Sequence, residues 1–87
     1  MQLQQLKYLI AAAKHGSFRS AAQALYISQS SVSVAIKDLE QELGVPVFER
    51  TSRGISLTPE GAEVTERARA IVEQLDAIES LYAHGSV

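Results

Sequence analysis

The stretch from Ile27 to Gly44, ISQSSVSVAIKDLEQELG, constrains the fold most, because both ends of one helix are written into it. Ser28 is a good N-cap, its hydroxyl suited to accept from a backbone N–H of the first turn. Ile27 before it and Val32 four residues after it form the N′/N4 pair of a hydrophobic staple. Gly44 suits the left-handed conformation after the last turn, and Pro46 prevents continuation. Val32, Ile36, Leu39 and Leu43 recur at spacings of four, three and four, which places them on one buried face.

At about 100° per residue, Ser30, Val34, Lys37 and Gln41 project away from that face, with Gln29 and Ser33 at its margin. Short hydroxyls and an amide beside one lysine can approach another surface closely and hydrogen-bond to it. Val34 lies almost opposite the core stripe, so packing inside a small domain does not explain it. In a major groove it has a partner in the thymine methyl group. Single exposed apolar residues are also ordinary. On this helix alone the two readings are close to even.

The preceding segments frame this helix. Residues 2–15 read as a first helix with Leu3, Leu6, Ile10 and Ala13 as its stripe and Leu9 widening it, ended by Gly16. Ser17 caps a short second helix, Phe18 to Leu25, whose Ala21, Ala22 and Leu25 face inward. Ser17, the free N–H groups of that turn and Arg19 suit a phosphate, or are a plain cap and a solvated arginine. The linker Tyr26-Ile27-Ser28 is so short that the second and third helices must form a tight corner. Two helices joined in this way, the second with a polar outer face, are the helix-turn-helix arrangement.

After Gly44 the pattern turns extended. Residues 45–50 and 55–57 flank Thr51-Ser52-Arg53-Gly54, which reads as a small hairpin, or wing. Phe48, Ile55 and Leu57 point inward, and Arg50 and Arg53 bracket the tip. An arginine on a narrow loop suits the negative potential of a minor groove, although basic turns are often merely solvated.

Thr58-Pro59-Glu60 opens the last helix with a cap, a proline at the first position and an acid at the dipole's positive end. Gly61 lowers helix propensity and suggests that another backbone approaches there. The helix is expected to run to roughly Ala83, about 38 Å. Val64, Ala68, Ile71, Leu75, Ile78 and Tyr82 follow a 4-3-4-3-4 spacing, a heptad seam broadened by Val72 and Leu81. So long a helix on so small a body points to a homodimer through this linker helix, with intramolecular packing as the alternative.

The fold class expected is therefore all-α with a small β-hairpin wing: a winged helix-turn-helix over residues 1–58, then a linker and dimerisation helix over 59–87. The 87 residues suffice for one small domain. The formal charge of −2 argues at first against nucleic acid, but its distribution matters more. Residues 1–58 carry six basic groups against four acidic ones, and residues 59–87 two against six, so the positive charge gathers where a footprint is wanted.

No cysteine is present, so neither a disulfide framework nor a thiolate metal site is available. His15 and His84 stand far apart without acidic partners at ligand spacing, and no glycine-rich phosphate loop occurs. These features speak against an enzyme, a metal site and a cofactor. The longest apolar run, Tyr8 to Ala13, is too short to span a bilayer and lacks a basic lead-in. No membrane partner is expected, and a cytoplasmic location is the default.

The blocks SFRSAAQAL, ISQSSVS, LEQELGVPVFER and LTPEG, in this order and spacing, resemble the N-terminal DNA-binding domain of LysR-type transcriptional regulators. The resemblance covers essentially the whole chain. It implies a dimeric regulator of bacterial transcription on a palindromic double-stranded DNA operator. The third helix would enter the major groove and the wing the adjacent minor groove. Gln29, Ser30, Ser33 and Val34 would face bases. Ser31, Lys37 and Arg19, with Ser17 beside it, would lie near phosphates, and Arg50 and Arg53 would serve the wing. Family members often carry Arg at the position of Val34 and Gln at that of Ala35, so a cationic contact is missing here. They are also usually longer, with a C-terminal effector domain, and no small molecule is expected to bind these 87 residues. The competing reading is a protein-interaction module that dimerises but has lost useful DNA affinity; the net charge and the missing arginine favour it slightly.

Overall fold

In the computed structural model, which describes residues 1–82, the helix ends fall where the local chemistry asks for them. The order is α1 (Leu3–His15), α2 (Phe18–Leu25), α3 (Gln29–Leu43), β1 (Phe48–Thr51), β2 (Gly54–Leu57) and α4 (Pro59–Ser80). Ser17, Ser28 and Thr58 each accept, through the side chain, from the backbone N–H three residues on, at Ser20, Ser31 and Gly61. Gly16 (φ 71°) and Gly44 (φ 76°) close α1 and α3 in the left-handed conformation. Tyr26 closes α2 in that same conformation (φ 59°), although it is not glycine and is 95% exposed. α4 ends at Ser80; Ala83 and His84 lie outside the described residues.

α1 packs against each of the other three helices. The core joins Leu6 and Leu9 of α1, Ala22 of α2, Val32, Ile36 and Leu39 of α3, Val47, and Ala68 of α4. On α1 the buried positions are Leu6, Leu9 and Ala12, whereas Leu3 is exposed. That stripe is displaced from the expected one because α1 is covered on several sides. Ile27 and Val32, the staple pair, both lie against this core.

The wing is an antiparallel pair in the register Phe48↔Leu57, Glu49↔Ser56, Arg50↔Ile55 and Thr51↔Gly54. Thr51 and Gly54 are thus paired strand residues, and the turn is Ser52-Arg53 alone. A hairpin of two four-residue strands is marginal by itself, and three attachments hold this one. Ile55 N–H donates to the Gly16 carbonyl (3.1 Å). Thr58 N–H donates to the Val47 carbonyl (3.0 Å), and the Thr58 hydroxyl donates to that of Pro46 (2.7 Å). Val47 N–H and Phe48 N–H donate to the Glu40 carboxylate (2.7 and 3.3 Å). Val47 itself is fully buried.

The approach suspected at Gly61 is real: a Cβ there would run into the Val47 carbonyl. Gly61, Thr65 and Ala68 form the buried face of the first half of α4. This corrects the seam reading for Ala68, which is 1% exposed within the single chain, and for Val64, which packs against the same core. At about 100° per residue the heptad seam and this buried face diverge by roughly 60°. The two apolar faces adjoin, and the heptad spacing merges them. Ile71, Ile78, Leu81 and Tyr82 remain exposed on the distal half, while Leu75 is half-buried.

Candidate nucleic-acid interface

α3 presents Gln29, Ser30, Val34, Lys37, Asp38 and Gln41 to solvent, and Ser33 half-exposed. Val34 is 57% exposed, so none of the described residues buries it. At the amino end of α3, Ser28 Oγ accepts from Ser31 N–H (3.1 Å) and lies 2.7 Å from Ser31 Oγ and 3.2 Å from Ser30 Oγ. These hydroxyls cluster where the helix dipole is positive, an arrangement suited to anionic oxygens.

Two of the depressions that border this helix gather its outward-facing residues. One, of about 490 Å³, lies between the amino-terminal halves of α1 and α3, with Gln2, Gln4, Gln5 and Tyr8 facing Ser30, Ser31, Val34 and Asp38. Gln5 spans the two helices: its Oε1 accepts from Gln2 N–H (2.6 Å) and its Nε2 donates to the Ala35 carbonyl (3.5 Å). The reading from sequence missed these α1 amides. Their signal is the Gln2/Gln5 pair three residues apart, in which the Gln5 side chain caps the Gln2 N–H; it is easy to overlook because glutamine is not a usual N-cap residue.

The other depression, of about 220 Å³, gathers Ser17 and Arg19 of the α2 entrance, Gln29 of α3, and Arg50 and Thr51 of β1. Residues assigned separately to phosphate, base and wing therefore share one concave surface. Arg50 does not bracket the tip. Its guanidinium carbon stands 6.0 Å from the centre of the Phe18 ring, within cation–π range. Phe18 in turn meets Phe48 edge-on at 5.6 Å. Of the two arginines only Arg53 lies in the turn, exposed, its backbone N–H donating to Thr51 Oγ1 (3.2 Å). Ser17 Oγ is engaged by Ser20 N–H, so the cap and any outward contact share one hydroxyl.

Among the described residues, none of Arg19, Lys37, Arg50 and Arg53 forms an ion pair, which leaves four cations around the α2–α3–wing surface for an external anion. Among those residues no group of His, Cys, Asp or Glu is placed to hold a metal ion, and none of their helices is long and apolar enough to cross a membrane. What the surface can do is hydrogen-bond, neutralise negative charge and offer one apolar contact.

The family model described as bacterial regulatory helix-turn-helix protein, lysR family, matches residues 3–62. The regulator TfdS of Cupriavidus pinatubonensis is 49% identical over 73 residues, which make up 84% of this chain and 25% of TfdS. The chain thus spans about a quarter of the length of the relatives it matches. A solved complex of the CbnR DNA-binding domain with DNA superposes with a TM-score of 0.86 at 40% identity, covering 92% of both chains. The BenM DNA-binding domain on its benA site 1 DNA gives 0.88 at 36% identity, covering 99% of this chain and 100% of that one. The winged-helix architecture expected from the sequence is the one these neighbours share.

Proposed function

This chain belongs to the LysR family of bacterial regulatory helix-turn-helix proteins, and from that premise we propose that it binds double-stranded DNA sequence-specifically as part of a dimeric transcriptional regulator. Residues 1–58 serve as the reading head and residues 59–87 as the linker and dimerisation helix. α3 lies in the major groove, where Gln29, Ser30, Ser33 and Val34 meet base edges. Ser17, Arg19, Ser31 and Lys37 meet phosphates, and Arg50 and Arg53 work at the wing and the minor groove. The observation that carries this reading is the exposed face of α3: an uncovered Val34 amid hydroxyls and amides, flanked by unpaired cations.

The distal half of α4, with Ile71, Ile78 and Tyr82 exposed, supplies the surface for a second copy, and a two-fold dimer matches a palindromic operator. The missing arginine at Val34 makes its contribution apolar, against a thymine methyl group. A cytoplasmic location follows from this role.

Selection from a random duplex library at low and moderate salt tests the proposal. A recovered palindrome supports it; the absence of any recovered duplex at low salt refutes it in favour of a protein-interaction module. The affinity for selected DNA falls steeply with salt, with a slope set by the phosphates neutralised.

A further inference from the structure

We infer that Glu40 is a positioning residue that fixes the wing to the reading helix, and so sets the distance between the major-groove and minor-groove contacts. The inference rests on the DNA-binding reading above. Glu40 sits on α3, one turn beyond Ile36 and on the flank away from Val34. Its Oε2 accepts from both Val47 N–H and Phe48 N–H, at 2.7 and 3.3 Å. These are the amides of the first residue of β1 and the residue before it, and Val47 lies just outside the register of the paired strands. One carboxylate oxygen therefore satisfies two donors that the sheet does not.

No other hydrogen bond among the described residues joins α3 to residues 45–57. The remaining attachments run elsewhere: Ile55 N–H to the Gly16 carbonyl, and Thr58 to the carbonyls of Pro46 and Val47. Those bonds tie the wing to the α1–α2 junction and to the entrance of α4. Among the described residues, the hydrogen-bonded link between α3 and the hairpin is therefore Glu40 alone. A carboxylate receiving two N–H donors makes shorter, stronger bonds than a neutral acceptor, so it defines the wing root more tightly than apolar contact does. Phe48, held by Glu40 at its N–H, meets Phe18 with its ring, and Phe18 lies beneath Arg50. A displacement at the root would therefore move Arg50 relative to Gln29 across the depression they share.

Val47 belongs to the hydrophobic core whether or not the carboxylate is present, so Glu40→Ala is expected to fold with a loosened wing. The test compares wild type, Glu40→Ala and Glu40→Gln on two duplex series. One series varies the selected half-site; the other keeps it and exchanges A·T-rich for G·C-rich flanks at the wing position. Wild type discriminates in both series. Glu40→Ala keeps its half-site discrimination and loses its flank discrimination, and Glu40→Gln, which retains an acceptor oxygen, recovers most of it. Amide hydrogen exchange without DNA shows faster exchange at Val47 and Phe48 in Glu40→Ala.

Flank discrimination that survives in Glu40→Ala overturns the inference. So does a loss of half-site and flank discrimination in step, or a Glu40→Gln protein that is as impaired as Glu40→Ala while equally stable. A wild type that binds no duplex overturns the DNA reading itself, and the exchange measurement then still reports whether Glu40 holds the wing root.

Discussion

Gly61→Ala is the sharpest test of how α4 is docked. In an ordinary helix interior the change stabilises, by about 1 kcal/mol. Here the added Cβ meets the Val47 carbonyl oxygen well inside contact distance, stands 2.8 Å from the carbonyl carbon and 3.1 Å from Thr58 Oγ1. All three neighbours are backbone or a short capping side chain, so none can swing aside. Overpacking of this kind costs about 1–3 kcal/mol. Pushing the Val47 carbonyl away also lengthens its 3.0 Å bond from Thr58 N–H, a further loss of about 1 kcal/mol. With the propensity gain subtracted, the variant is destabilised by roughly 1–3 kcal/mol. Urea unfolding followed by far-ultraviolet circular dichroism measures this at matched chain concentration, since dimerisation would couple to the midpoint. At a slope of about 1 kcal/mol per molar urea, the midpoint falls by at least the order of 1 M. A midpoint that is unchanged or raised would refute the close approach of α4 to the residue before the wing.

Four other outcomes are expected. Lys37→Ala weakens binding to all duplexes alike and lowers the salt slope by about one unit; an unchanged slope in salt titrations rejects a phosphate contact. Val34→Ser shifts preference at one T·A position by about 1 kcal/mol, and an unaltered base profile after repeat selection removes the methyl contact. Ile78→Glu gives monomers in sedimentation velocity while leaving the fold intact, because Ile78 is 61% exposed within one chain; persistence of a dimer places the interface elsewhere. Tyr26→Gly raises stability by about 1 kcal/mol, since Tyr26 holds a left-handed backbone with its side chain in solvent; a loss on melting would show that the ring packs against something.

Helix ends were legible because they depend on local chemistry. Ser17, Ser28 and Thr58 cap, Gly16 and Gly44 terminate, and Pro59 starts α4 where the sequence alone places it. The face of α3 was legible too, since its two sides differ sharply in polarity. Long-range information was not. Val47 follows a proline in an extended run, and only the approach of Gly61 shows that it is buried. Arg50 and Arg53 look equivalent in ERTSRG, yet pairing Thr51 with Gly54 puts one on a strand over Phe18 and the other in the turn. Glu40 reads as one acid among several in LEQEL, and its ligands come from residues seven and eight positions on. On α4 the heptad spacing could not reveal that two neighbouring faces have different destinations.

From Ala62 to Ser80 the helix α4 contains neither glycine nor proline, and its first half is clamped to the body by Gly61, Thr65 and Ala68. Such a rod behaves as a stiff lever, in a molecule measuring 50 × 25 × 19 Å. Over its length of about 33 Å, a tilt of about 10° carries one end sideways by about 6 Å. That displacement is close to two base-pair steps along a duplex. If second copies join at the distal half, the crossing angle there sets the separation of the two reading heads, and small rotations at the joint become changes in the half-site spacing that fits.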